Sequence, residues 1–383
     1  MKKRRYRVLH VIDSLDLGGA QVVLLNLIKH ADRERFQPEI ACLHGRGVFW
    51  ERLRETGTPM WSLSFHHWFP SYVLGLAGLM LSRRYDIVHC HLLASNVIAK
   101  PLAAACKVQV RINHDHCNDK AVDPRKWALP ADAWSNRFSS HVIAVSESTR
   151  AFVETHENIP STRTATIHNG IDCDVCRPRP WQREVARRKW EIPEDAYVIG
   201  GIGRLTHQKN FRLFLEVAAN VVRKYPKAFF VIAGTGEEEK DLRFRATQLG
   251  IEDRVRFTGF VADMQSLYPA LDMLLLTSRY EGLPITILEA MAAGVPIVAA
   301  RLDGIAEVLT DDRDAALVPP GKGAQFVERV CDLIENPETA AAYARLALAK
   351  VRAHYSAERM TRNVEAIYLR HIETAKLIGT VPA

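Results

Sequence analysis

Short β-branched runs alternate with longer stretches of helical period from one end of the chain to the other, and this alternation constrains the fold most. Strand, helix and strand in succession close as βαβ units, so the pattern predicts parallel sheets covered by helices. In the first half, strands are expected at 8–12, 40–43, 87–90, 108–112, 142–145 and 165–167. In the second half they are expected at 198–202, 229–233, 255–257, 273–276 and 297–299. The intervening stretch, 172–193, has neither period and carries Pro178, Pro180, Arg187, Arg188 and Lys189, so a domain boundary is expected there. A chain of 383 residues exceeds one typical core and suits two α/β domains. From Ser356 onward one amphipathic helix is expected, with Met360, Val364, Ile367 and Tyr368 on one face, suited to covering the edge of the second sheet.

Composition narrows the partners. The opening MKKRR is followed by an apolar run of only Val8 to Ile12, interrupted by His10, which argues against a secretory signal. The longest apolar stretch, Trp68 to Leu81, contains Pro70 and Ser71 and falls short of the roughly 20 residues of a spanning helix. It reads first as a helix packed inside the first domain. The second reading is a helix at a membrane interface, with Arg83 and Arg84 at the headgroups. Seven cysteines, an odd number scattered singly, fit reduced thiols in a cytoplasmic protein. Cys173 and Cys176 form a CxxC without the second pair that a zinc site needs. The net charge of +7 suits anionic partners, namely phosphorylated substrates or an acidic membrane surface. Nucleic acid is not expected, because no helix-turn-helix, zinc-finger pattern or basic stripe with interleaved aromatics is present.

The most informative segment is SRYEGLPITILEAMAAGVPIVAA, residues 278–300. Glu281 follows an expected strand, in the loop where open α/β sheets bind ligands. Pro284 suits the first helical position, the helix is expected over 285–293, and Gly294 with Pro296 ends it. Glu289 then lies just over a turn inside. First-turn amides at the positive end of the helix make an anion site suited to phosphate. On spacing alone, a plain strand-loop-helix with two solvated glutamates fits equally well. GGIGRLTHQKN, residues 200–210, adds a second constellation: two close glycines at a strand end, then Arg204 and Lys209. Two such cations can neutralise a diphosphate, Arg204 bidentately. GxGR alone is weak, because it lacks the third glycine of a dinucleotide fingerprint and the GK[ST] of a P-loop.

Together these motifs resemble the retaining glycosyltransferases of family 4. The most specific signature is the pair Glu281 and Glu289 followed by EAMAAGVPIVA, and GRLTHQKN matches the diphosphate-binding stretch. Further matches are LDLGGAQ (15–21), DIVHCH (86–91), AVSES (144–148), HNGID (168–172) and AGTGEEEKDL (233–242). One departure stands out: Leu283 and Pro284 follow Gly282 where the commoner form reads Glu-Gly-Phe-Gly. Pro284 removes an amide near the phosphate, which leaves donor identity and the phosphate contacts open.

The resemblance implies an α/β fold of GT-B type, two Rossmann-like domains with parallel sheets facing across a cleft. It implies an acceptor-binding domain over 1–174, a nucleotide-sugar donor domain over 175–358, and a helix over 359–383 crossing back to the first. Arg204 and Lys209 would hold the leaving diphosphate, Glu289 the ribose hydroxyls and Glu281 the transferred sugar. Gly203, Gly282 and Leu283 would line the donor site. Gly18 and Gly19 would let backbone approach the phosphates or acceptor, although without the resemblance a tight strand-to-helix turn is the favoured reading of that pair. His91 would stand near the sugar, or be satisfied within the domain interface.

Glycosyl transfer passes through an oxocarbenium-like state, and the leaving phosphate can take the acceptor's proton on the same face. Glu281 is therefore a positioner, not a nucleophile. Asp172-Cys173-Asp174 is a DxD, and His114-Asp115-His116-Cys117 is dense in potential ligands. Fixed cations and helix amides would make a divalent ion redundant, and the resembled family works without one, so no metal or cofactor is expected. The expected reaction is retaining transfer from a UDP-sugar to a glycan or lipid-linked acceptor, in cell-surface polysaccharide or glycolipid assembly. The expected location is the cytoplasm or the inner face of the membrane. The alternatives are an acceptor-independent nucleotide-sugar epimerase or hydrolase, and a non-catalytic nucleotide-sugar-binding subunit. Retention of Arg204, Lys209, Glu281 and Glu289 together argues against the last.

Overall fold

The computed structural model describes residues 4–16, 18–63, 69–116, 125–174 and 181–379. By internal contact the chain divides into Met1–Gly170 with Ala357–Ala383, and Ile171–Ser356. The first unit holds β1 (Tyr6–Ile12), β2 (Phe36–Cys42), β3 (Met60–Ser62), β4 (Ile87–His91), β5 (Val110–Asp115), β6 (His141–Ala144) and β7 (Thr164–Thr166). The second holds β8 (Tyr197–Ile202), β9 (Ala228–Ala233), β10 (Val255–Gly259), β11 (Met273–Leu276), β12 (Ile297–Ala300) and β13 (Ala316–Val318).

Among the described residues the two sheets run β3-β2-β1-β4-β5-β6-β7 and β10-β9-β8-β11-β12-β13. Every strand pair is parallel. In each sheet the strand order reverses once, between β1 and β4 in the first and between β8 and β11 in the second. Ligands of open α/β sheets bind beyond the carboxyl ends of the strands at such a reversal.

Strand alternation sorts the residues between two faces. Leu9 and Val11 of β1 join Val88 and Cys90 in an apolar cluster completed by Leu76, Met80, Ala99 and Ala103. The alternate residue Ile12 packs with Ile40, Leu24, Ile28, Phe49 and Trp50 in a second cluster. In the second unit the fully buried rings of Phe214 and Phe230 meet edge to face at 5.6 Å, and Phe326 joins the same core.

Two strands go beyond the expected set, β3 and β13. Each has three residues at a sheet edge with at most one β-branched residue, MWS and ALV, and each is defined by pairing with β2 or β12. A helix, Gln182–Lys189, occupies part of the stretch expected to lack one. It has almost no apolar face and is held by charge instead. Arg187 and Arg183 donate to the Asp272 carboxylate at 2.8 and 2.6 Å, and that carboxylate also accepts the Val198 amide.

The helix Phe69–Arg83 buries Leu76 and Met80 in the first unit and leaves Leu74 and Leu81 exposed. Trp68 lies outside the described residues. The terminal helix Ala357–Gly379 buries Met360, Val364, Ile367 and Tyr368 as the sequence period requires. It packs in the first unit, where Glu365 accepts the Asp32 amide at 2.8 Å and the Tyr368 ring meets Phe36 edge-on. The edge of the second sheet is therefore not what it covers.

Candidate active site

Two loops leave adjacent strands at the reversal point of the second sheet: 203–210 after β8, and 277–284 after β11. Backbone and side-chain hydrogen bonds stitch them together. The Arg279 amide donates to Gln208 O at 2.8 Å, and Gln208 Nε2 donates to Tyr280 O at 3.1 Å. Thr277 Oγ1 donates to Asn210 O, and Arg279 donates to Asn210 Oδ1. The two motifs therefore form one construction.

At its centre Lys209 Nζ donates to Glu281 Oε1 at 2.5 Å, and Ser278 Oγ donates to the same oxygen at 2.7 Å. The two side chains of the ion pair are 13% and 6% exposed, so the pair sits largely out of water. Arg204 is exposed and has no side-chain partner among the described residues. One cation is thus engaged by the site's own carboxylate and the other stands free. Glu289 is half-buried, and its Oε2 accepts a hydrogen bond from the buried Tyr268 hydroxyl at 3.0 Å.

The glycines explain how backbone packs around this pair. Gly203 (φ 154°) lies against the Lys209 stem, and a Cβ on Gly234 would fall 1.9 Å from Gly203 O. A Cβ on Gly304 would fall 1.5 Å from Gly282 O, so the Glu281–Leu283 turn rests directly on the 303–306 helix. Leu283 is buried beside it.

The helix Ile285–Ala293 starts and stops as its sequence predicts, with Gly294 left-handed at its end. Pro284 is its cap, in extended backbone (φ −69°, ψ 127°), one place before the first helical position expected for it. The Ile287 amide bonds Pro284 O, while first-turn amides at Ile285 and Thr286 precede the internal ladder. Two hydroxyl groups, Thr206 Oγ1 and Thr286 Oγ1, are buried with no hydrogen-bond partner among the described residues. Buried polar atoms are normally satisfied, so two idle donors, one in the 203–210 loop and one in this helix's first turn, suit a ligand rich in oxygens.

The remaining candidates fall in the first unit. Gly18 caps the helix Gly19–Lys29 in extended backbone (φ 170°), and a Cβ there would press only on the flexible Gln21 amide. Asp13, beyond β1, accepts the Ala94 and Ser95 amides, so the N-terminus of the helix Leu93–Ala105 is already occupied by a carboxylate. His91 is fully buried: Nε2 faces His10 Nδ1 at 3.1 Å and Nδ1 faces His116 Nε2 at 3.2 Å. Burial holds its pKa well below the ordinary histidine value, with nearby imidazoles adding to the effect.

Of the other candidate metal ligands, Asp172 Oδ1 accepts the Asp174 amide in a local turn. His114 and His116 gather with His91, while Asp115 gathers with Asp132 and Glu157. Cys117 and Cys176 lie outside the described residues. Sequence reasoning missed Ser278, Gln208, Tyr268, Gly234 and Gly304. Ser278, three residues before Glu281, and Gln208, next to Lys209, carried a usable signal; Tyr268, Gly234 and Gly304 are joined to the site only by the fold.

Comparison with known proteins agrees with this fold. The profile of glycosyl transferases group 1 matches residues 182–348, and that of Glycosyltransferase Family 4 matches residues 17–175. The Bacillus subtilis protein EpsD, named as a glycosyltransferase, is 29% identical over 66% of this chain and 68% of its own length. The Escherichia coli UDP-Gal:alpha-D-GlcNAc-diphosphoundecaprenol alpha-1,3-galactosyltransferase is 24% identical over 64% of this chain and 65% of its own length. The matched segments thus span about two thirds of these relatives. Anabaena HepE in complex with UDP-glucose superposes with a TM-score of 0.86 over 94% of this chain and 98% of that one, at 23% identity. The likeness in fold is of GT-B type.

Proposed function

The chain belongs to glycosyltransferase family 4, and from that premise we propose that it is a retaining transferase moving a sugar from a UDP-sugar to a glycan or lipid-linked acceptor. The observation that carries this reading is the Lys209–Glu281 pair at the reversal point of the second sheet, with Arg204 unpaired on the same loop. A diphosphate brings the negative charge that Arg204 lacks as a partner. Lys209 then lies between that charge and Glu281, which is held toward the transferred sugar. The amides of Ile285 and Thr286 and the hydroxyls of Thr206 and Thr286 supply further donors. Such preorganised groups stabilise charge as it develops on the leaving oxygen.

In the step itself the bond from the anomeric carbon to the phosphate oxygen breaks as the acceptor oxygen bonds on the same face. The acceptor's proton passes to the leaving phosphate. No metal ion is required, because fixed cations and amides carry the charge. Glu289, next to the Tyr268 hydroxyl, is the ribose contact. The role beside the sugar that the resemblance gives His91 requires its ring to be released from His10 and His116.

In this reading the unit Ile171–Ser356 holds the donor and the other unit holds the acceptor. The UDP-glucose bound by HepE and the UDP-Gal and lipid-linked acceptor in the E. coli relative's name support the donor and acceptor classes. No helix among the described residues is long and apolar enough to cross a membrane. The net charge of +7 suits work at an acidic inner membrane face.

The test is incubation with UDP-glucose or UDP-galactose and a panel of lipid-linked monosaccharides, with the product's anomeric proton coupling read by NMR. A glycosylated product with the donor's configuration is expected. An inverted product refutes retention, and free sugar or an epimer as the sole product refutes transfer.

A further inference from the structure

Histidines at alternate positions place four imidazoles on one side of the first sheet: His89 and His91 of β4, and His114 of β5 with His116 just beyond it. His10 of β1 is in register with His89, and His91 with His114, so the rings form a continuous stack. Ring centroids lie 4.3 Å apart for His89 and His91, and 4.5 Å apart for His114 and His116. Leu92, directly after β4, is held at φ 76°, an unfavourable conformation for a leucine.

Hydrogen bonding satisfies only part of this stack. Besides the His10–His91 and His91–His116 contacts, His89 Nδ1 meets the Tyr368 hydroxyl at 2.5 Å. Nε2 of His89, both nitrogens of His114 and Nδ1 of His116 are buried with no hydrogen-bond partner among the described residues. His114 is fully buried. Native proteins seldom keep several such atoms idle, and each one needs an explanation.

We propose that His91, His114 and His116 bind one divalent transition-metal ion of the zinc class. Their ligand nitrogens lie within 4.8 Å of one another. Bonds of about 2.0–2.1 Å in a tetrahedral site place ligand nitrogens roughly 3.3–3.4 Å apart. His91 Nδ1 and His116 Nε2 stand 3.2 Å apart, so those two rings need little movement. His10, facing the other nitrogen of His91, then orients that ring from behind, as partners of metal-bound histidines do. A donor set made only of imidazoles suits zinc, copper or nickel and disfavours magnesium or calcium.

A second triad, His10, His89 and His91, also brings its nitrogens within reach. It is wholly buried and His89 Nδ1 is held by Tyr368, whereas His116 is partly exposed and gives an ion a way in. The groups that carry the leaving-group charge in the proposed step, Arg204, Lys209 and Glu281, belong to the other unit, and that step is not assigned to this ion. An ion here also fixes the His91 ring as a ligand, so the ring cannot meet a sugar at the same time.

The untagged full-length chain, stripped with EDTA and titrated with Co²⁺ as the spectroscopic stand-in, tests this directly. One Co²⁺ per chain is expected, with visible bands of a low-coordinate site that Zn²⁺ abolishes. His114→Ala and His116→Asn should each weaken binding by at least about tenfold, and His89→Gln should retain the bands. His116→Asn changes a partly exposed position, so it decides the matter if the buried variants fail to fold. Absence of cobalt bands in the unaltered chain, or undiminished binding by His116→Asn, overturns the proposal. A loss in folded His89→Gln as large as in His116→Asn moves the ion to the other triad and overturns the assignment made here.

Discussion

Replacing Lys209 with methionine keeps the length of the side chain and deletes its charge, leaving Glu281 buried with only the Ser278 hydroxyl as a hydrogen-bond donor. Breaking a fully buried ion pair costs about 3–5 kcal/mol, and an exposed pair is worth about 0–1. With side chains 13% and 6% exposed the pair lies near the buried limit, and Ser278 retains one hydrogen bond. The expected loss is therefore about 2–3 kcal/mol, the scale of a charged hydrogen bond. For a unit of this size that corresponds to a fall in Tm of about 4–12 °C. Glu281→Gln in the same background removes the stranded charge, so the double variant should recover most of the loss, with a coupling of about 1–3 kcal/mol. Differential scanning calorimetry of the four proteins, read at the transition of the Ile171–Ser356 unit, gives the cycle. Losses that simply add, with no coupling, would show that the pair does not exist without ligand.

Arg204→Ala should cut turnover by about a hundredfold or more while leaving Tm unchanged, because the guanidinium is exposed and unpartnered among the described residues. Full activity in that variant would remove Arg204 from the phosphate site. Transfer should persist in excess EDTA, since the charges around the leaving group are fixed in the protein. A loss restored by Mg²⁺ or Mn²⁺ would bring Asp172 and Asp174 back as ligands. Acid should weaken the first unit before the second. Burial, reinforced for His10 by Arg33, lowers His10 to about 3, and burial alone lowers His116 to about 3. Burial followed by repulsion between imidazoles lowers His89, His91 and His114. These rings titrate near 6.5 when unfolded, so their contribution is full above that value. It drains as pH falls below about 6.5, down to about 3 for His10 and His116, at up to about 1.4 kcal/mol per pH unit for each histidine. Equal acid shifts in both calorimetric transitions would contradict this.

Much of the scaffold was legible because its strands are long enough to show a period. Met273–Leu276 and the helix that Gly294 closes sit where the residues put them. The edge strands β3 and β13 were not legible, since MWS and ALV hold at most one β-branched residue between their turns, whereas the equally short β7 carries two threonines. The Gln182–Lys189 helix escaped for a related reason: its anchor is Asp272, a residue distant in sequence, and it shows no apolar stripe. Both loops of the candidate site were visible as motifs. Their junction was not, because the Lys209–Glu281 pair and the Gly304–Gly282 contact depend on β8 and β11 being neighbours. The histidine stack could have been found from the alternate spacing of His89 with His91 and His114 with His116. What brings the two pairs together is the register of β4 with β5, which only the fold supplies.

The central claim, a metal-independent nucleoside-diphosphate site built on these two loops, is tested most directly by calorimetric titration with UDP in the presence of EDTA. The unaltered chain should bind. Glu289→Gln should bind more weakly by about 1.5–3 kcal/mol, since a charged hydrogen bond to the ribose is lost. Glu281→Gln should bind UDP no more weakly than the unaltered chain, because UDP carries no sugar for it to contact and the change frees Lys209 for the phosphates. Its turnover should fall instead. Absence of UDP binding without a divalent ion, or loss of affinity in the Glu281 variant with none in the Glu289 variant, would contradict the account.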